Sequence, residues 1–138
     1  MSAEVANIAL NAFPSQRPPR TKRGGERRRY IKSKKKFIAV AGQCAVFWDQ
    51  KAIQTHHVFG RLGHLLNWQP GWMAVSQQGH SWIDANREAA RLRGWLAPKG
   101  LWNTSPEEIL RRIETENLKE FDWVLERAAT INTMPTNP

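Results

Sequence analysis

Two stretches decide how this chain is read: THHVFGRLG at 55–63 and VSQQGHSWIDANREAARLRGWLAP at 75–98. In the first, AIQTHHVFGR (52–61) has strand-like residues running into two adjacent histidines, His56 and His57. In the second, MAVSQQG (73–79) reads as a short strand and turn. A helix follows over 80–94, with Trp82, Ile83, Ala90 and Leu92 on an apolar side and Gly94 as its stop. The intervening LGHLLNWQPGW (62–72) is loop-like, broken by Asn67, Pro70 and Gly71. The order is strand, loop, strand, helix, with His80 opening the helix and Asp84 four residues later. Residues four apart on a helix share a face. Together with a third ligand from a neighbouring strand they can hold one divalent cation, leaving positions for water and phosphate. Neighbours on an extended strand point to opposite sides. At a strand end where the chain bends, however, both histidines can face one site, and the second can take a proton from water near neutral pH.

Upstream of this core, FIAVAG (37–42) and CAVFW (44–48) are short apolar runs suited to strands or a packed entry segment. Downstream, WLAPKGLWN (95–103) is a turn-rich connection. Ser105-Pro106-Glu107-Glu108 is a helix start: Ser105 can cap, Pro106 fits the first helical position, and Glu108 completes a capping box. Ile109, Ile113, Phe121 and Leu125 then share a face, so 106–129 reads as one helix or two short ones, packed on the core or mediating dimerisation. The tail TINTMPTNP (130–138) reads as frayed. At the other end, Val5, Ile8, Ala9 and Ala12 outline a short amphipathic segment.

Charge divides the chain. Residues 1–36 hold 11 basic and 2 acidic side chains, whereas 37–138 hold 10 of each, so the whole net charge of +9 sits in the first quarter. RPPRTKRGGERRRYIKSKKK (17–36) combines two prolines, two glycines and a dense run of one sign. Such a stretch self-repels and buries little, so it reads as a flexible basic arm. Its cations are Arg17, Arg20, Lys22, Arg23, Arg27, Arg28, Arg29, Lys32, Lys34, Lys35 and Lys36, and a polycation of this kind neutralises phosphates. The organisation expected is an arm at 1–36, a core at 37–103 and a helical segment at 104–138. Seven tryptophans exclude full disorder, and the single Cys44 excludes a disulfide-stapled fold. No apolar run approaches the ~20 residues of a membrane span, and no signal-peptide pattern opens the chain. A cytoplasmic protein with no membrane partner is expected.

The pattern HH-x-x-GR, then GH-x-W-I, then an Asn and AR-x-x-G resembles small phage-encoded HNH endonucleases, whose fold is the ββα-metal finger. The resemblance covers about Cys44 to Trp102. It implies an α+β fold in which His56 and His80 bind metal and His57 is the general base. Asp84 stands where the family often has another histidine. A carboxylate there suits Mg²⁺ or Mn²⁺. Arg61 either contacts the scissile phosphate or pairs with an acid. Asn67 is the candidate for orienting His57, since Gly71 occupies the position of the family's middle asparagine, and Asn86 matches a local structural position. The family's zinc-knuckle cysteines become Cys44-x-x-Phe47 and Ser76-x-x-Gly79, so no structural zinc is expected. Trp48, Trp68, Trp72 and Trp82 are expected to replace its cohesion. The remaining histidine, His64, reads as a loop residue.

The function implied is metal-dependent hydrolysis of DNA, double-stranded by preference. The alternative is a catalytically inactive nucleic-acid-binding or protein-interaction module. A homodimer and a phage or host protein partner stay open.

Overall fold

The computed structural model describes residues 22–133, with side chains over 24–130. Its elements run α1 (Lys22–Ala41), β1 (Gln54–His57), β2 (Trp72–Val75), α2 (Gln77–Ala85), α3 (Arg87–Leu92), α4 (Pro106–Thr115) and α5 (Asp122–Thr133). Short 3₁₀ turns lie at Gly63–Asn67, Gln69–Gly71 and Lys119–Phe121. Helices and a two-stranded antiparallel sheet together make the class α+β, as the resemblance implied.

β1 and β2 pair antiparallel, with Gln54 opposite Val75, His56 opposite Met73 and His57 opposite Trp72. Met73 and Val75 face the main core, alongside Val58, Phe59, Ile83, Leu96 and Leu101. Ile109, Ile113, Phe121 and Val124 belong to the same cluster. α4 and α5 therefore pack on the core shared with the hairpin and α2 rather than forming a separate unit. Full burial of Ile109 and Ile113 contributes about 2 kcal/mol each. Ser105 caps α4, its hydroxyl accepting from the Glu108 N–H at 3.2 Å. The reciprocal half of the capping box is not made, because the Glu108 carboxylate takes Arg111 instead.

The helix expected over 80–94 begins earlier and is split. Ser76 caps α2 by accepting from the Gly79 N–H. At Asn86 the side chain donates back to the Trp82 carbonyl at 2.9 Å, and the chain restarts as α3. That local bond competes with helix continuation. Gly94 ends the run at φ +77°, and a Cβ there would lie 2.0 Å from the Glu120 carbonyl oxygen.

The main departure is the basic segment. From Lys22 it is a helix, not a flexible arm, and it runs through 36/37, where a domain boundary was expected. FIAVA (37–41) closes this helix rather than forming a strand, and CAVFW is a bend. Tyr30 and Phe37, seven residues apart on one side of α1, stack edge-on against Trp72 at 5.6 and 5.3 Å. This docking supplies the burial that the charge density seemed to forbid. Arg127 of α5 donates to the Trp72 carbonyl and lies over Trp123 and Phe37, joining α1, β2 and α5. Arg17, Arg20, the amphipathic stretch at 5–12 and the end of the tail lie outside the described residues, as do the side chains of Lys22 and Arg23.

Candidate metal and nucleic-acid site

His56 ends the core-facing row of β1, and His80 sits in the first turns of α2. Their ring centroids are 5.2 Å apart in a T-shaped arrangement. The pairing follows from topology: a tight return from β2 through the Ser76 cap brings the helix start beside the strand end. His56 is 5% exposed, and burial pushes its pKa down to about 4. At neutral pH the ring therefore carries one proton. Its Nε2 lies 2.8 Å from the Trp95 carbonyl, which can only accept, so Nε2 holds the hydrogen and Nδ1 keeps a lone pair. Asp84 reaches His80 Nδ1 at 3.5 Å from the solvent side. The three residues thus form a contiguous chain, His56–His80–Asp84. Among the described residues, no three His, Cys, Asp or Glu side chains are already gathered as a metal-holding group. The two imidazoles are of the right chemistry and close enough to approach one cation, while the carboxylate contacts His80.

His57 faces the other way. Strict alternation holds to the end of β1, and its ring packs against Tyr30 of α1 at 5.2 Å and Trp72 at 5.7 Å. The bend that would turn both histidines to one site is absent, which corrects that expectation. The ring is 5% exposed, and burial lowers its pKa to about 4, with neighbouring Arg61 adding to the effect. Its Nε2 donates to the Leu66 carbonyl at 3.1 Å, again leaving an Nδ1 lone pair. The orienting group is thus a backbone carbonyl. Asn67, expected in that role, instead ties the turn to α1 by donating to the Glu26 carbonyl at 2.9 Å.

Arg61 is exposed, lies over the Tyr30 ring at 5.2 Å, and enters none of the ion pairs among the described residues. Its backbone N–H and that of Leu62 both donate to Asn103 Oδ1, at 3.1 and 3.2 Å. Sequence reasoning did not single out Asn103, 42 positions from Arg61. The left-handed conformation of Asn103, φ 57°, is one that asparagine adopts more readily than most residues. Trp95 likewise lies in a segment whose sequence reads only as a turn-rich connection. Arg93 lies 5.1 and 5.3 Å from the rings of Trp82 and Trp95, which themselves meet edge-on at 5.7 Å, and this cluster steadies the segment whose carbonyl holds His56. His64 is exposed in its turn and outside the histidine pair.

The positions matched to a zinc knuckle do come together. Cys44 Sγ accepts from the Val46 and Phe47 N–H groups at 3.4 and 3.3 Å and lies 3.4 Å from Ser76 Oγ. A Cβ on Gly79 would fall 2.6 Å from that sulfur. Burial alone pushes the thiol up, but these hydrogen bonds outweigh it and hold its pKa below the ordinary value. One thiol and one hydroxyl do not make the four-ligand set of structural zinc. The hydroxyl also bonds Gln50 Oε1 at 2.6 Å, so a polar cluster ties this corner together. Of the tryptophans expected to do so, Trp72 is fully buried, Trp68 and Trp82 are partly buried, and Trp48 is 77% exposed and contributes none of that cohesion.

Comparison with protein-family models, with characterised proteins and with solved structures finds no match for this chain.

Proposed function

We propose that this protein is a metal-dependent endonuclease of the HNH kind, hydrolysing phosphodiester bonds in DNA. The observation that carries the reading is the His56–His80 pair, built by a strand end and a helix start within one strand–strand–helix unit. In this reading His56 through Nδ1 and His80 through Nε2 hold a divalent cation, Mg²⁺ or Mn²⁺, with Asp84, expected from sequence as a ligand, acting from behind His80 as its outer carboxylate. Such an ion, when bound, supplies Lewis-acid stabilisation of charge on phosphate. The chain's own residues do the rest. The Trp95 carbonyl fixes the tautomer of His56, and the carboxylate of Asp84 sets the ring of His80. His57, neutral and with a lone pair on Nδ1, takes the proton from water only after Tyr30 withdraws and the end of β1 bends to turn its ring toward the His56 face. Arg61, unpaired with any acid and next to that ring, meets the phosphate.

A second reading is favoured by the Tyr30 cover over His57: an inactive finger that binds nucleic acid without cutting it. Supercoiled plasmid incubated with the protein and Mg²⁺ or Mn²⁺ separates the two. The nuclease reading expects nicking or linearisation that EDTA abolishes. It further expects loss of more than ~100-fold in His80→Ala, beyond what loss of an outer partner costs. His57→Ala should retain metal binding and cut poorly. Retarded but intact plasmid under every metal condition would leave the binding module.

A further inference from the structure

The basic helix α1 presents two unlike sides. Tyr30 and Phe37 are turned inward onto Trp72. Arg28, Arg29, Lys32, Lys35 and Lys36 are all exposed, at spacings of three, four and seven that collect them on the opposite side. No ion pair among the described residues involves any of them. Glu26, the one acidic residue of α1, is half-buried, and its main-chain carbonyl accepts from Asn67. At the helical rise, Arg28 to Lys36 spans about 12 Å. Duplex DNA carries about one charge per 1.7 Å of axis, hence roughly seven phosphate charges over that length. The cations are thus pre-assembled on a seated helix rather than scattered along a loose chain, and a partner need not order them on binding.

We propose that this outer face of α1 is a docking surface for the phosphate backbone of double-stranded DNA. The choice of DNA rests on the nuclease reading. The surface itself rests on charge, exposure and the seating of the helix.

The test is binding of the full-length protein to a labelled mixed-sequence duplex, by fluorescence anisotropy in EDTA between 50 and 200 mM salt. Five phosphate contacts predict affinity falling about 500-fold over that range. Lys32→Gln with Lys35→Gln should reduce the fall to about 40-fold. Lys51→Gln with Lys119→Gln, exposed lysines elsewhere, removes the same charge and should leave the fall near that of the unchanged protein. Ser33→Pro keeps every cation but interrupts α1, and should weaken binding about tenfold at fixed salt by removing preorganisation. Equal salt dependence in both lysine pairs would overturn the surface, because net charge alone would then explain binding. Unchanged affinity of Ser33→Pro would overturn the need for a helix, and tighter binding of single-stranded DNA or RNA would overturn the duplex. Because nothing is cut in EDTA, a protein that binds as described yet never cleaves keeps this surface and loses the nuclease. One that cleaves but lacks the lysine effect does the reverse.

Discussion

The two faces of the β1–β2 hairpin carry neighbouring histidines in opposite circumstances. On the core face, His56 meets His80, and its second nitrogen donates to the Trp95 carbonyl. Apolar side chains fill the surroundings. On the α1 face, His57 lies under Tyr30, and three buried polar atoms, Thr55 Oγ1, Asn67 Oδ1 and Trp72 Nε1, find no partner among the described residues. Each such orphan costs on the order of 1–3 kcal/mol. The core face is therefore the satisfied side, built to hold a fixed pair. The α1 face is held by ring stacking beside these polar groups. One residue step along a strand separates a ligand-like histidine from a roofed one.

Acid should break both faces and gives the largest effect. Both imidazoles titrate near 4 when folded and near 6.5 when unfolded, because burial disfavours the charged ring. Between those values the unfolded chain takes up protons that the folded chain refuses. Stability is accordingly full above pH 6.5 and falls as pH drops toward 4, by about 3 kcal/mol for each ring. Urea midpoints measured across this window should decline steeply for the unchanged protein and less so for His57→Gln. A flat profile in both would show that the rings are not buried neutral.

Tyr30→Ala sharpens the comparison, since it touches only the α1 face. Loss of this buried ring should cost about 3 kcal/mol. By admitting water it should raise the His57 pKa from about 4 toward its ordinary value and leave His56 where it is. Imidazole resonances followed through a pH titration report both rings separately. A shift of both, or of neither, would mean that the faces are not independent.

Much of this was legible in the chain. The hairpin, the helix that follows and the Ser105 start of α4 are local events, signalled by alternation, caps and breakers within a few residues. The approach of His56 to His80 followed from their place in that pattern. The helicity of α1 was hidden because composition alone predicts self-repulsion. The contrary signal, Tyr30 and Phe37 seven residues apart, acquires meaning only when Trp72 is present to receive them. Alternation pointed correctly to opposite sides for His56 and His57, and the assumed bend at the strand end misled. The carbonyls of Leu66 and Trp95 orient both rings, yet a backbone acceptor leaves no mark in sequence. Asn103 bonds the Arg61 and Leu62 N–H groups across 42 and 41 positions, a long-range contact that local reading does not reach.

The claim on which the rest depends is that His56 and His80 share a divalent cation. Substoichiometric Mn²⁺ added to labelled protein tests it by selective paramagnetic broadening of histidine ring signals. The account predicts that His56 and His80 broaden first, that His64 stays sharp, and that His80→Ala abolishes the effect at His56. Broadening that spares His56 and His80, or that persists at His56 in His80→Ala, would contradict it.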